Sequence, residues 1–284
     1  MMKVGGLKLR YRRLLVLFAL LATGARAQWL NYPTPGTPRT KDGKANLSAK
    51  TPRLAGKPDL SGVWQVEPPP KGEIQRMLGR DLTVGLVPGD PIDTFSKYFF
   101  NILADFKPEE APLRPEATAI MRSRPKNTET PDQRCLPLGV PRAELISFPF
   151  KIVQTPGLIV MMYEDNTRRQ IYTDGRKLPD DPNPTWLGYS VGHWEGETLV
   201  VDSAGFNDQV WIDSAGHPTS EALHIQERFH RRDFGHMDLQ ITVDDPKMYT
   251  TPFTFKVTQL LLPDSDIFEY FCPENEKDRA HMSR

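Results

Sequence analysis

The sequence predicts an all-β fold: an antiparallel meander, closed or strongly curved into a barrel, with a short helical insert before it. Between Phe148 and Cys272, apolar and polar residues alternate in short runs, which is the period of a half-buried strand. Glycine, proline and aspartate separate these runs as turn residues do. About eight or nine runs are present, and closure into a barrel removes exposed strand edges. A two-layer sandwich is the alternative.

The first residues have the order of a secretory signal peptide. A basic stretch precedes an apolar run at residues 14–21, and small residues dominate positions 25–27. This order predicts a signal peptide over residues 1–27. The apolar run is shorter than the ~20 residues that cross a bilayer, and no later run reaches that length. We therefore expect a periplasmic or secreted protein without a membrane span.

Residues 28–57 are rich in proline, threonine, lysine and glycine and have little apolar periodicity, which predicts an extended linker or a surface arm. A single domain is expected over residues 58–284. It begins with the short apolar strand PDLSGVWQV, and the prolines of the following EPPPKG prevent further pairing.

The helical insert is expected at about residues 72–124. Its main helix would be capped by Asp93 or Thr94 and ended by Pro108. The apolar residues at the three-and-four spacing of this helix are Phe95, Tyr98, Phe99, Ile102, Leu103 and Phe106.

The chain contains two cysteines, Cys135 and Cys272. In an oxidising compartment they are expected to form a disulfide, with two buried free thiols as the alternative. The bridge would close a loop of more than ~100 residues, for which a chain-entropy argument gives roughly 4 to 5 kcal/mol as an upper figure.

Composition excludes several classes of function. The 36 basic and 36 acidic residues balance, so no positive surface for nucleic acid is indicated. No phosphate-binding loop, dinucleotide fingerprint or serine-hydrolase elbow is present, and we predict no cofactor. The 6 histidines are scattered, which indicates no metal site, although three of them could still converge in the fold.

The stretch TWLGYSVGHWEG has a nearly bare set of even positions between two tryptophans. Trp186, Gly188, Ser190, Gly192 and Trp194 would share one face of a strand. If that face points inward, the missing side chains leave a cavity for a flat apolar molecule. The alternative is that the glycines mark barrel corners or close packing.

Glu227 is the first candidate for chemistry. It shares a strand face with Ile225 and Phe229, and such surroundings disfavour a charged carboxylate and suit proton transfer. The alternative is that Glu227 pairs with a barrel-lining Arg169 to fix the strand register. The side chains that would assist Glu227 in catalysis are Asp202, His193 and Tyr249.

Several segments resemble a large set of secreted bacterial proteins of unassigned function, among them PDLSGVW, RCLPLGVPR, TDGRKLP and HPTSEALHIQERFHR. The likeness covers nearly all of the chain after the linker. Gly62-Val63-Trp64 is in addition similar to the G-x-W motif of lipocalins, in which the tryptophan closes one barrel end. This similarity implies a lipocalin-like barrel with a ligand cavity.

The sequence thus supports three hypotheses of function. In the leading one, the barrel holds a small apolar or aromatic molecule. An enzyme of lyase, isomerase or hydrolase type on the same scaffold is the second, with Glu227 as acid or base. The third, favoured if the inward face is fully packed, is an envelope module that binds a partner. The side chains expected to line the ligand cavity are Trp64, Trp186, Tyr189, Ser190, Trp194, Phe206 and Arg169.

Overall fold

The computed structural model describes residues 33–78, 94–124 and 129–272. The predicted signal peptide and the first residues of the predicted arm lie outside these ranges. The described chain forms a closed barrel of nine strands whose neighbours follow the chain order, so the predicted all-β barrel is confirmed. The barrel strands are β3 (Gly62–Val66), β4 (Phe150–Thr155), β5 (Leu158–Tyr163), β6 (Arg168–Tyr172), β7 (Tyr189–Glu195), β8 (Thr198–Ala204), β9 (His224–Arg231), β10 (His236–Asp244) and β11 (Phe253–Leu261); a separate hairpin pairs β1 (Arg53–Leu54) with β2 (Lys57–Pro58).

One seam of the barrel is parallel, because a closed ring with an odd number of strands cannot alternate in direction all the way round. β6 and β7 run parallel through two residue pairs, Ile171 with Ser190 and Tyr172 with Val191. All other neighbouring strands in the ring are antiparallel. Residues 173–188 form the long crossover that a parallel connection requires.

The main helix of the insert is shorter than the sequence pattern predicts. The insert contains α1 (Glu73–Leu78), α2 (Lys97–Phe100) and α3 (Pro115–Ser123). The side chain of Ser96 caps α2, two residues after Thr94, and the helix ends well before Pro108. The reason is a competing partner: Ile102 N–H donates to the buried carboxylate of Asp213 at 2.7 Å instead of to a helical carbonyl. Asp93 and the part of the predicted insert at residues 79–93 lie outside the described residues.

Both ends of the barrel are covered by the chain. At one rim, which we call the capped rim, α2 contacts the β8–β9 connection, where Ser214 N–H donates to Phe99 O at 2.9 Å. At the start of the same helix, Ser96 N–H donates to Leu145 O at 3.1 Å. At the opposite rim, the residues before β3 lie against the β9–β10 turn through Phe234 N–H to Ala49 O (2.8 Å). Within the described ranges, no helix is long and apolar enough to cross a membrane.

Cys135 and Cys272 form the predicted disulfide. Cys135 lies in the segment of residues 129–149, which covers the capped rim and which we call the cap segment. Cys272 lies beyond β11, in a stretch held to the β5–β6 turn by Tyr270 N–H to Glu164 O (2.8 Å). The bridge therefore ties the cap segment to the chain that leaves the barrel.

Candidate functional site

A polar cluster lies inside the barrel around the guanidinium of Arg169. Its Nη1 donates to Glu227 Oε1 at 3.1 Å, and its Nη2 donates to Glu227 Oε2. Both side chains are at most 1 % exposed. Strand alternation places them there, because β6 turns Arg169 and β9 turns Glu227 toward the interior. The structure thus pairs the predicted acid or base with the predicted arginine.

Two serines complete the coordination of Arg169. Nε donates to Ser190 Oγ at 3.0 Å, and Nη2 donates to Ser203 Oγ at 2.8 Å. The two hydroxyls are themselves 2.8 Å apart. Ser203 was not singled out from the sequence, although its alternation with Leu199 and Val201 in β8 indicates an inward position.

A second carboxylate, Glu144, reaches the same cluster from the cap segment. Tyr163 Oη donates to Glu144 Oε1, and Arg169 Nη1 lies 3.4 Å from that oxygen. Burial, followed by the charge of Glu227, raises the pKa of Glu144 to about 8. Sequence analysis missed Glu144 because it lies in a short 3-10 turn without apolar periodicity. Tyr163 was also missed, although it ends the alternating run of β5.

The glycine-rich stretch of residues 185–196, which we call the ribbon, does not enclose an open space. Gly188 has a φ of +68°, so Trp186 and Gly188 lie before β7 and outside its alternation. A Cβ on Gly188 would lie 2.8 Å from the ring of Phe206, and a Cβ on Gly192 would lie 3.1 Å from Ile171. The protein's own side chains therefore fill the space beside these glycines, as in the close-packing alternative.

The structure does not bring the other predicted catalytic residues to Glu227. Asp202 lies on the outer face of β8, where Gln226 donates to it at 3.1 Å and a hydrogen bond from His224 lowers the pKa of Asp202. His193 is exposed beside Glu195. Tyr249 is buried under the capped rim, where it donates to Pro218 O at 3.2 Å and burial raises its pKa.

The predicted ligand-lining aromatic residues are also dispersed. Trp64 is fully buried near the rim opposite the cap, where its Nε1 donates to Leu60 O at 2.9 Å and Arg231 lies over its ring. Tyr189 stacks on Tyr172 on the outer face. Trp194, on the inward side of β7, is only partly buried against the core.

A groove of about 850 Å³ lies on the outer face of the barrel. Its floor consists of outward side chains from β9, β10 and β11, and its wall is the proline run that follows β3 together with the starts of α1 and α2. Strand register arranges the floor in two rows. The rows are Arg228, Gln240 and Lys256, and His230, Asp238 and Thr258. The wall consists of Glu67, Pro68, Pro69, Pro70, Glu73, Ser96, Lys97 and Tyr98.

Some of the charges in the groove are already paired. Arg228 donates to Glu195 at 2.7 Å, and Lys97 donates to Asp105 at 2.5 Å. Lys256 has no hydrogen-bond or ion-pair partner in the part of the chain that the structure describes. It is therefore a cation available to a ligand.

Within residues 33–78, 94–124 and 129–272, no group of three or more His, Cys, Asp or Glu side chains is placed to hold a metal ion. Comparisons with protein-family models, with curated proteins and with solved structures find no match for this chain.

Proposed function

We propose that the protein binds a short peptide in the outer groove, with the peptide's carboxylate on the row formed by Arg228, Gln240 and Lys256. The observation that carries this proposal is Lys256, which has no partner among the described residues and lies directly opposite Gln240 in the β10–β11 register. A cation and an amide side by side are good partners for a carboxylate, because hydrogen bonds that involve a charged group are the stronger ones.

The size and chemistry of the groove support a peptide more than a flat apolar molecule. Its volume of about 850 Å³ lies within the range of small-molecule sites. The wall adds Glu67 and Glu73, which suit the ammonium end of a zwitterion. Tyr98, the one Phe, Tyr or Trp among the described residues that line the groove, is packed on Phe255 and is only 7 % exposed, so it offers no stacking surface.

The interior offers less support for the apolar-ligand hypothesis and for the enzyme hypothesis. The space beside Gly188 and Gly192 is filled, and Glu227 is held in a bidentate pair with Arg169. A packed interior is the condition under which the sequence favours a partner-binding module, and a groove that accepts peptide ends fits that hypothesis.

We also propose that the protein works outside the cytoplasm. The signal-like leader supports this, and so does the bridge between Cys135 and Cys272, because disulfides persist in oxidising compartments.

Titration calorimetry with tetra-alanine tests the proposed binding. We expect heat of binding with the free acid, and an affinity lower by roughly tenfold or more for the carboxy-amidated peptide. Lys256→Gln should weaken binding of the free acid by a similar factor. Lys247→Gln, which removes an exposed lysine outside the groove, should leave the affinity unchanged.

Equal binding of the acid and the amide would overturn the proposal, as would the absence of any heat with either peptide. A naphthalene probe serves as the comparison ligand. If this probe binds and shifts the tryptophan emission while tetra-alanine does not bind, the apolar-ligand hypothesis is the better one.

A further inference from the structure

Two carboxylates share one guanidinium inside the barrel. The side chains of Glu144, Glu227 and Arg169 are at most 1 % exposed. Arg169 uses all its N–H donors within the cluster, since Nε, Nη1 and Nη2 together contact Ser190, Ser203 and both carboxylates. With both carboxylates ionised, the cluster would carry one uncompensated negative charge, which is costly to hold away from water.

In the described part of the chain, four buried side-chain atoms lack a hydrogen-bond partner: Arg142 Nε, Ser147 Oγ and two acceptors on or beside Glu144. Glu144 Oε2 and Gln259 Oε1 are buried, and neither has a hydrogen-bond partner in the part of the chain that the structure describes. Each is an acceptor without a donor. A proton on Glu144 removes the excess charge and supplies one of the missing donors.

Glu144 also connects the cap segment to the barrel. Gln259 Nε2 of β11 donates to the backbone oxygen of Glu144 at 2.8 Å, and Tyr163 Oη of β5 donates to its side chain. The next residue, Leu145, accepts a hydrogen bond from Ser96 N–H at 3.1 Å. Hydrogen bonds on both sides of the cap segment therefore converge on Glu144 and its neighbour.

We propose that Glu144 is a proton-dependent anchor, which in its neutral form holds the cap segment on the barrel end and on ionisation releases it. The proton leaves to solvent, and a second negative charge then lies beside Glu227 in the interior. Repulsion and desolvation both favour movement of the cap segment, because Glu144 lies outside the barrel strands, which hold the other described residues of the cluster.

The surroundings of Glu144 place the loss of its proton above neutral pH. The groups that face it are Tyr163 from β5, Arg169 from β6, Glu227 from β9 and the uncharged Gln259 from β11. Arg142, on the same turn, is directed at Asp132 and Ser214. Burial and the charge of Glu227 raise the pKa of Glu144 to about 8, whereas burial raises that of Tyr163 well above its usual value, so the phenol stays neutral.

Folding raises the pKa of Glu144 above its ordinary value. The folded protein holds the proton more tightly than the unfolded chain does. The proton on Glu144 therefore contributes fully to the free energy of unfolding at acidic pH, below the pKa of an unfolded glutamate. That contribution is lost as the pH rises through about 8.

Amide hydrogen exchange at about pH 6 and about pH 9, corrected for intrinsic exchange rates, tests the anchor. We expect the protection of the Ser96, Ala143 and Leu145 amides to fall by roughly tenfold or more at the higher pH. In Glu144→Gln, which keeps a neutral side chain of similar shape, protection should not depend on pH. Glu110→Gln, on the exposed surface, should behave as the unchanged protein does. An equal loss of protection in Glu144→Gln, or no loss in the unchanged protein, would overturn the proposal.

Infrared difference spectroscopy provides a second test that needs no folded variant. The unchanged protein should show the carbonyl band of a protonated carboxylic acid at about pH 7. The band should disappear as the pH is raised through about 8. Absence of the band at about pH 7 would refute the neutral anchor.

Discussion

Arg169 Nε donates a 3.0 Å hydrogen bond to Ser190 Oγ across the parallel seam between β6 and β7. The backbones of these strands share only two residue pairs, whereas every other neighbouring pair in the ring shares three or more. The same guanidinium reaches Ser203 on β8 and Glu227 on β9. Arg169 thus closes the barrel, through its side chain, where the backbone pairing is weakest.

We predict that Arg169→Met lowers the free energy of unfolding by about 3 to 5 kcal/mol, because it leaves the buried Glu227 without its partner. The double variant Arg169→Met with Glu227→Leu should recover most of that loss, since both charges are then removed. Urea unfolding followed by circular dichroism measures both values. A double variant no more stable than the single one would show that the pair itself is required to close the seam.

The ribbon glycines should differ in their tolerance of substitution. Gly188→Ala forces a side chain into a left-handed conformation and against Phe206, whereas Gly192 has an ordinary φ and looser neighbours. We expect a cost of about 1 to 3 kcal/mol from overpacking at Gly192, and a larger cost at Gly188, where backbone strain is added. Thermal unfolding of the two variants compares them. Equal midpoints would mean that Phe206 moves aside and that the space can be opened.

Removal of the disulfide should lower stability without removing the barrel. The bridge spans a sequence separation of 137 residues, for which the chain-entropy argument gives about 5 kcal/mol as an upper limit. We expect the double variant Cys135→Ser with Cys272→Ser to unfold at lower urea concentration with an unchanged far-ultraviolet β spectrum. Loss of that spectrum in the absence of denaturant would show that the barrel depends on the bridge.

The sequence predicts the barrel well because strand alternation is a local signal. Alternation alone places Glu227, Arg169 and Ser190 on inward faces, and these are the predicted residues that meet. Local signals fail where a distant group intervenes. Asp213 shortens α2 by taking the N–H of Ile102, and the cap segment brings in Glu144, whose position no periodicity records.

The ribbon prediction fails for a different physical reason. One left-handed residue, Gly188, is enough to interrupt the period of two, so Trp186 cannot share a face with Ser190. A bare strand face is also not evidence of an opening, because large residues from neighbouring segments such as Phe206 can occupy it. The outer groove depends on contacts between β3, β9, β10, β11 and the helical insert, which no single run of sequence contains.

The meeting of β3 with β11 fixes how the barrel can be oriented. Trp64 pairs with Leu261, so the chain enters the first strand and leaves the last strand at one rim. If the stretch before β3 were immobilised on a support, the barrel would stand with its capped rim pointing away, whereas the stretch after β11 returns to the capped rim at Cys272. A fluorescent label on the cap would then report the distance from that support.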